Sequence, residues 1–374
     1  MTQTTQRFLP LDVFRGLTIC FMIIVNTGGT GGVYAPLEHA AWHGFTPTDL
    51  VFPSFLFAVG NAMSFSMKKF STLSQAVVLG KIFKRTAIIF LLGFLMYWFP
   101  FFHHTTDGSG LSFTSFSYTR VFGVLQRIAL CYCFASLLIY YFNSKVVWSI
   151  SALLLLGYWA VLWFCGTPGE QYTLQGNAGL ALDRWLLGDL HLYHGEGVAF
   201  DPEGLLSTFP AIVNVVAGYY AGMYIQRDGK SSKGIATLIL AGICCIIVAL
   251  LWNTVFPINK KLWTSSYVFL TVGIDLLIIA FLIYLIDILH ITFGTGFFTV
   301  FGKNPLFLYL LSEILAILLY FFLVNNGSAY TWVNGFFQSI SPGKFGSLLF
   351  SLSFMLLCWL VGFILDRKRI YVRV

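Results

Sequence analysis

Residues 37–50 read Leu37-Glu38-His39-Ala40-Ala41-Trp42-His43-Gly44-Phe45-Thr46-Pro47-Thr48-Asp49-Leu50. This polar, histidine-bearing loop lies between two apolar runs, 11–30 and 49–67, each near the roughly 20 residues that carry a helix across a bilayer. Loops of membrane proteins rarely concentrate His, Trp, Glu and Asp so closely, so the stretch points to chemistry at a membrane face.

The same alternation recurs along the chain. Hydrophobic residues make up 57% and charged residues only 10%, well under the roughly 25% charge of soluble domains. Further spans are expected at 85–102, 121–142, 147–165, 205–226, 235–256, 264–288, 303–324 and 346–366. The fold class is therefore an all-α polytopic membrane bundle of about ten helices. Residues 1–374 form a single transmembrane domain, with loops 31–48 and 166–204 contributing to its site. The polar start lacks a cleavable signal's architecture, so the first span is expected to remain. The seven cysteines lie in or beside apolar runs and form no C-x-x-C pair. They read as small apolar residues, and no metal is expected.

Lysine and arginine set the orientation. One set of alternating segments holds Arg7, Lys68, Lys69, Lys81, Lys84, Arg85, Lys145, Arg227, Lys230, Lys233, Arg367, Lys368, Arg369 and Arg373, whereas the other holds only Arg120, Arg184, Lys260, Lys261 and Lys344. Both termini are therefore expected in the cytoplasm and the His39 loop outside. The net charge of +7 is a topology signal rather than a nucleic-acid footprint. The outer face is acidic, which suits a cationic or polyhydroxylated ligand.

The first span opens Leu11-Asp12-Val13-Phe14-Arg15-Gly16 and closes Val25-Asn26-Thr27-Gly28. Arg15 and Asn26 are eleven residues apart, so they share one helix face about 16 Å apart along the axis. Asp12 sits one turn below Arg15. The stripe reads either as a ligand path or as an interfacial anchor with a helix-capping Asn. His39 is the candidate for proton transfer or acyl acceptance, because imidazole titrates near neutrality; His43 is a second. Glu38, Trp42 and Asp49 surround it, although Thr46-Pro47-Thr48-Asp49 also reads as a helix start. Gln126 and Arg127 lie inside an apolar run, and Asn304, Tyr309 and Glu313 in another. Arg127 and Glu313 could serve a ligand or neutralise one another, and Asp275 is similarly open. No P-loop, dinucleotide fingerprint, H-E-x-x-H or G-x-S-x-G occurs.

Taken in order, several motifs resemble the heparan-α-glucosaminide N-acetyltransferase family. They are Asp12-Val13-Phe14-Arg15-Gly16, Val25-Asn26, His39-Ala40-Ala41-Trp42-His43-Gly44, Asp49-Leu50-Val51-Phe52-Pro53 and Gly123-Val124-Leu125-Gln126-Arg127, followed by Asp183-Arg184-Trp185 to Asp189 with His191, and Phe200-Asp201-Pro202-Glu203-Gly204. Ile258 to Thr264 and Asn304 with Tyr309 and Glu313 complete the series. The opening is also similar to the wider acyltransferase-3 class, with Asn26 where that class carries its histidine and the histidine role moved to His39. The lysosomal member has Asn at the position of His43 and a large lumenal N-terminal domain, so this chain resembles a bacterial member in the inner (cytoplasmic) membrane.

The resemblance implies transfer of an acetyl group from cytosolic acetyl-CoA to a glucosamine-type amine on the far side, and a homodimer. His39 would act as base or acyl-accepting nucleophile. Asn26 would orient His39 or donate to the thioester oxygen. Asp12, Arg15, Gln126, Arg127, Asn304 and Tyr309 would line the CoA path, with the CoA phosphates near cytoplasmic bases. Trp42, Asp49, Asp183, Arg184, His191, Asp201, Glu203 and Glu313 would meet the sugar acceptor. A transporter for amino sugars or cell-wall fragments, with Glu313 or Asp275 as proton site, is the alternative.

Overall fold

The structure is a computed structural model that describes residues 8–105, 110–325 and 327–372; Arg7 and Arg373, used for the orientation, lie outside the described residues. It is an all-α polytopic bundle with thirteen α-helices among the described residues. They are α1 Leu9–Asn26, α2 Pro47–Ser66, α3 Gln75–Trp98, α4 Val124–Tyr141, α5 Ser144–Cys165, α6 Ala178–Leu187, α7 Leu205–Asp228, α8 Ser232–Trp252, α9 Ser265–Ile283, α10 Thr295–Lys303, α11 Pro305–Phe321, α12 Ala329–Ile340 and α13 Lys344–Arg367. Two short antiparallel hairpins, Phe102–His104 with Leu111–Phe113 and Leu323–Val324 with Gly327–Ser328, decorate the connections.

Eight of these helices are long and apolar enough to cross a membrane, nine if the bent pair α10–α11 counts as one span. The expectation of ten spans is met only by adding α3, which has the length but carries Lys81, Lys84 and Arg85. The sequence pattern placed the start of that span at 85, whereas the helix begins at Gln75, because charged residues extend a helix beyond the bilayer without ending it. The expected span 303–324 corresponds to α11, and the short helix α10 precedes it across a sharp elbow. Pro305 lacks an N–H and fixes φ, and α10 and α11 meet at 83°. The short helices α6, α10 and α12 and both hairpins lay below the resolution of a 20-residue hydropathy pattern.

Two glycine crossings set the core. A Cβ on Gly60 would lie 2.0 Å from Val215 O, and one on Gly218 2.0 Å from Phe57 O, so α2 and α7 touch backbone to backbone. Likewise a Cβ on Gly16 would lie 1.8 Å from Phe298 O, and one on Gly302 2.1 Å from Asp12 O, which seats α10 against α1. Small residues at such crossings allow the close packing that holds helices together in lipid. Lys303 pairs with Asp366 at 2.7 Å, which brings the start of α1, the α10–α11 elbow and the end of α13 to one face, here the terminal face. At the opposite, loop face, Thr30 N donates to Asn334 Oδ1 and Gly31 N to Ser347 Oγ. The 31–48 and 166–204 loops meet there, where Trp42 Nε1 donates to Tyr172 O at 2.7 Å and its ring packs on Phe200.

Candidate functional site

At the loop face, Thr46 and Asp49 form a reciprocal capping box that starts α2. Asp49 Oδ2 accepts backbone N–H groups from Ala40 (3.1 Å) and Thr46 (3.0 Å), which leaves Oδ1 for His39 Nδ1 at 2.7 Å. The exposures divide the pair's labour: Asp49 is 1% exposed and His39 46%. The buried carboxylate accepts Nδ1–H, fixing the tautomer whose lone pair is on Nε2, the nitrogen free for a substrate. Both readings of Asp49, as helix start and as site residue, hold at once.

Lys260, from the α8–α9 loop, completes the group. Its Nζ lies 3.1 Å from Nδ1 and 3.2 Å from Nε2 of His39 and 3.9 Å from Asp49 Oδ1. A point in the ring plane equidistant from both nitrogens would collide with ring carbons, so the ammonium lies over the imidazole face. The loop carrying it is over-determined. Asn259 Oδ1 accepts from Leu262 N, Asn259 N donates to Thr264 Oγ1 and Ile258 O accepts from Gly44 N, and these hold Trp263 in the left-handed region at φ 54°. Burial pushes the Lys260 ammonium below the usual lysine range, against the opposing pull of Asp49 and Glu203. Its neighbour Lys261 pairs with Glu196.

Beside this group Arg120 ties two acids together. It is bidentate to Asp201 at 2.6 and 2.9 Å and reaches Glu203 at 2.6 Å, while its guanidinium stacks between the rings of Tyr97 and Tyr193. Burial raises the Glu203 carboxyl, but Arg120, Arg127 and Lys260 together outweigh it and hold Glu203 below its usual range. Asn26 Nδ2 donates to Glu313 Oε1 at 3.0 Å. Tyr309 and Tyr97 lie within electrostatic reach of Glu313, Glu203 and Arg120.

The other expected residues make the following contacts within the chain. Asn26 bonds Glu313 and not His39, so the orienting partner of His39 is Asp49. Arg127 and Glu313 do not neutralise one another. Arg127 donates to Gly204 O and Ser207 Oγ under the Trp263 ring. Gln126 is fully buried near Gly93. Asp183 accepts from Leu205 N at 3.0 Å, capping α7, and burial pushes its carboxyl up to about 7. A Cβ on Gly204 would lie 1.8 Å from that carboxylate. Thus Arg120, Arg127, Asp183 and Asp201 brace the 201–207 turn that presents Glu203.

His191 is held by Thr119 O, beside Arg120. Arg184 pairs with Asp189 on the open surface and is not part of the group. Asp12 and Arg15 pair at 2.7 Å on the terminal side. Asn304, fully buried, bonds Ile370 O and Val372 N and anchors the C-terminal tail. His43 bonds Asn259, and burial depresses its basicity. Asp275 is buried within the bundle against Ser54.

Sequence reading assigned no role to Lys260, Arg120 or Tyr97. A signal for the two cations was present, since they are among the few bases on the acid-rich side, against the orientation rule.

A polytopic helix-bundle membrane protein with a histidine–aspartate–lysine group beside a cluster of buried charges at one face is the class defined by this fold and site. A family profile described as "Heparan-alpha-glucosaminide N-acetyltransferase, catalytic" matches residues 7–246, and the chain belongs to that family. It is 30% identical over 367 residues to the Mus musculus heparan-alpha-glucosaminide N-acetyltransferase, covering 83% of this chain and 54% of the relative. It is 31% identical over 363 residues to the Homo sapiens protein of the same name, covering 82% and 53%. The chain therefore spans about half the length of these relatives.

Proposed function

We propose that this chain transfers an acetyl group from acetyl-CoA to the amine of a glucosamine-type sugar across a bacterial inner membrane. Its termini are cytoplasmic and residues 1–374 act as one domain, in a homodimer. The observation that carries the reading is the His39–Asp49 pair, a half-exposed imidazole on a buried carboxylate. Family membership supplies the reaction class.

The deprotonated amine attacks the thioester carbonyl carbon. The C–N bond forms, the C–S bond breaks and CoA leaves as thiolate. His39 Nε2 takes the proton the attacking nitrogen sheds and returns it to the sulfur. In the two-step variant Nε2 itself attacks, the C–S bond breaks and CoA leaves as thiolate; the amine then attacks the acetyl-imidazole, the Nε2–C bond breaks, and the freed Nε2 takes the proton that the amine nitrogen sheds. In both, positive charge on the imidazole is balanced by Asp49. The Lys260 ammonium and the Asn26 amide are the donors available for the thioester oxygen as it gains charge. Glu203 and Glu313 supply the negative field that gathers an amino sugar.

The test is transfer of labelled acetyl from acetyl-CoA to glucosamine by purified protein, wild type against His39→Ala. Loss of transfer with acetyl-CoA binding retained supports the reading. Equal transfer by both proteins overturns the role of His39.

A further inference from the structure

At the terminal face, α3 presents Lys81, Lys84 and Arg85 at spacings of three and four residues, the spacings that place side chains on one helix face. Like charges so arranged destabilise a helix unless an anion sits among them. Among the described residues none of the three pairs with a carboxylate. They line a cavity of about 290 Å³ with Ser66, Phe70, Ile88 and Tyr132. Arg85 is held there by its guanidinium, 4.5 Å over the Tyr132 ring, yet its Nε is buried with no hydrogen-bond partner. The orientation rule explains bases near this face. It does not explain a buried guanidinium donor left without an acceptor, because such groups are expected to be satisfied.

We infer that the Lys81–Lys84–Arg85 cavity is a phosphate-binding site. Planar Arg and point-charge Lys donors are the usual recognition set for phosphate oxygens. Its volume sits near the lower end of ligand pockets, ~300 Å³, which suits a phosphorylated headgroup or sugar phosphate rather than a whole cofactor. Of the other basic residues proposed for such a role, Arg15 pairs with Asp12, and Arg127 lies at the far end of the bundle, where its Nη2 donates to Gly204 O and Ser207 Oγ.

Two molecules bring this chemistry to this face: the phosphorylated ribose of CoA, and an anionic phospholipid. Helix α2 carries both Ser66 of the cavity and Asp49, the partner of His39. They are seventeen residues apart, about 25 Å along the axis, close to a bilayer's ~30 Å hydrocarbon core. A CoA phosphate held here would send its thioester arm towards His39. In that form the inference rests on the acetyl-transfer reading; in the lipid form it stands apart from it.

The test uses the full chain in lipid nanodiscs and the triple variant Lys81→Gln, Lys84→Gln, Arg85→Gln, with affinity for CoA and for dephospho-CoA, which lacks the 3′-phosphate. A parallel arm measures phosphatidylglycerol retained through purification by native mass spectrometry. A loss of CoA affinity of about tenfold or more, with dephospho-CoA little changed, is the weight of a lost charge-assisted contact and assigns the site to CoA. Unchanged CoA affinity with lost phosphatidylglycerol assigns it to the lipid. Unchanged affinity and retention together overturn the inference. If wild type binds no CoA, the acetyl-transfer reading falls and the lipid arm alone decides the cavity. Should the triple variant fail to fold, Lys84→Gln and Arg85→Gln singly replace it, with the same outcomes read.

Discussion

His39 Nδ1 lies 2.7 Å from Asp49 Oδ1, and the aspartate that holds the imidazole is one half of the capping box that starts α2. The geometry of the candidate base is thus fixed by where a helix begins. The ring cannot turn without breaking a part-buried, charge-assisted bond, and the aspartate cannot shift without loosening the first turn of a spanning helix.

Asp49→Asn separates these two duties. The amide keeps a hydrogen-bonding oxygen but loses the charge that balances an imidazolium. Transfer is expected to fall by about 10²–10⁴, the range of general acid–base contributions. Thr46→Ala removes the cap partner and leaves the His39 contact, so it is expected to cost about 0.5–2 kcal/mol of stability with most activity kept. Thermal unfolding and kcat measured on both variants check this. Equal loss of kcat in the two would mean that the capping turn alone sets the rate.

Lys260 gives a pH-dependent prediction. Burial lowers its affinity for a proton, so the ammonium over His39 is lost at a pH below the usual lysine value of about 10.4. If the charged form assists transfer, kcat declines on the alkaline side below that value. A guanidinium does not titrate there, so Lys260→Arg is expected to remove the alkaline decline, and Lys260→Gln to reduce kcat across the whole range by about 10–10³. A pH–rate profile of the three proteins is the measurement. An alkaline limb unchanged in Lys260→Arg would assign it to another group.

Asp183 predicts the stability profile of the loop face. Its carboxyl is pushed up to about 7 by burial, above the unfolded value of about 3.9. The folded state then binds more protons than the unfolded chain between those values, so stability falls as pH rises from about 4 to 7 and levels off above. Asp183→Asn can still accept from Leu205 N and does not ionise. It is expected to match wild type below pH ~4 and to exceed it above pH 7, by at most about 4 kcal/mol at 1.36 kcal/mol per unit. Unfolding temperatures across pH 4–8 give the slope, and parallel curves for the two proteins would sink the argument.

Much of this arrangement was legible in the residues. Hydropathy runs located the long helices because lipid demands continuous apolar length; Asn26 and Glu313 stood out as polar residues in apolar runs, and His39 as a titratable group in a dense polar loop between two of them. Other features depend on contacts distant in sequence. No local pattern says that Arg120 reaches Asp201 and Glu203, more than eighty residues away, or that Lys260 returns over His39 from 221 residues along the chain. Arg127 shows why burial alone does not fix a role. A buried arginine invites a ligand, and the contact it makes with the carbonyl of Gly204 lies seventy-seven residues along the chain, where no local pattern points. The elbow at Pro305 was visible as a proline at the start of a hydropathy run, but the short helix α10 before it was too brief for that run to show.

Asn26 and Glu313 join α1 to α11 by a 3.0 Å bond, and kinetics can divide their parts. Glu313→Gln retains a carbonyl oxygen for Asn26 Nδ2 and removes a negative charge from the candidate site. An ammonium-bearing acceptor is then gathered less well, so KM for glucosamine is expected to rise several-fold, with kcat and the KM for acetyl-CoA little changed, the pattern of a lost ground-state contact. Asn26→Ala removes a donor expected to act on the thioester oxygen only as it gains charge. Its loss is expected in kcat, by about 10²–10³, the range for one oxyanion donor. The double variant is informative because the residues touch: independent roles give additive losses, whereas a shared structural role gives a double loss close to the larger single one. A Glu313→Gln defect confined to kcat would instead place the carboxylate in proton transfer and take the gathering role from it.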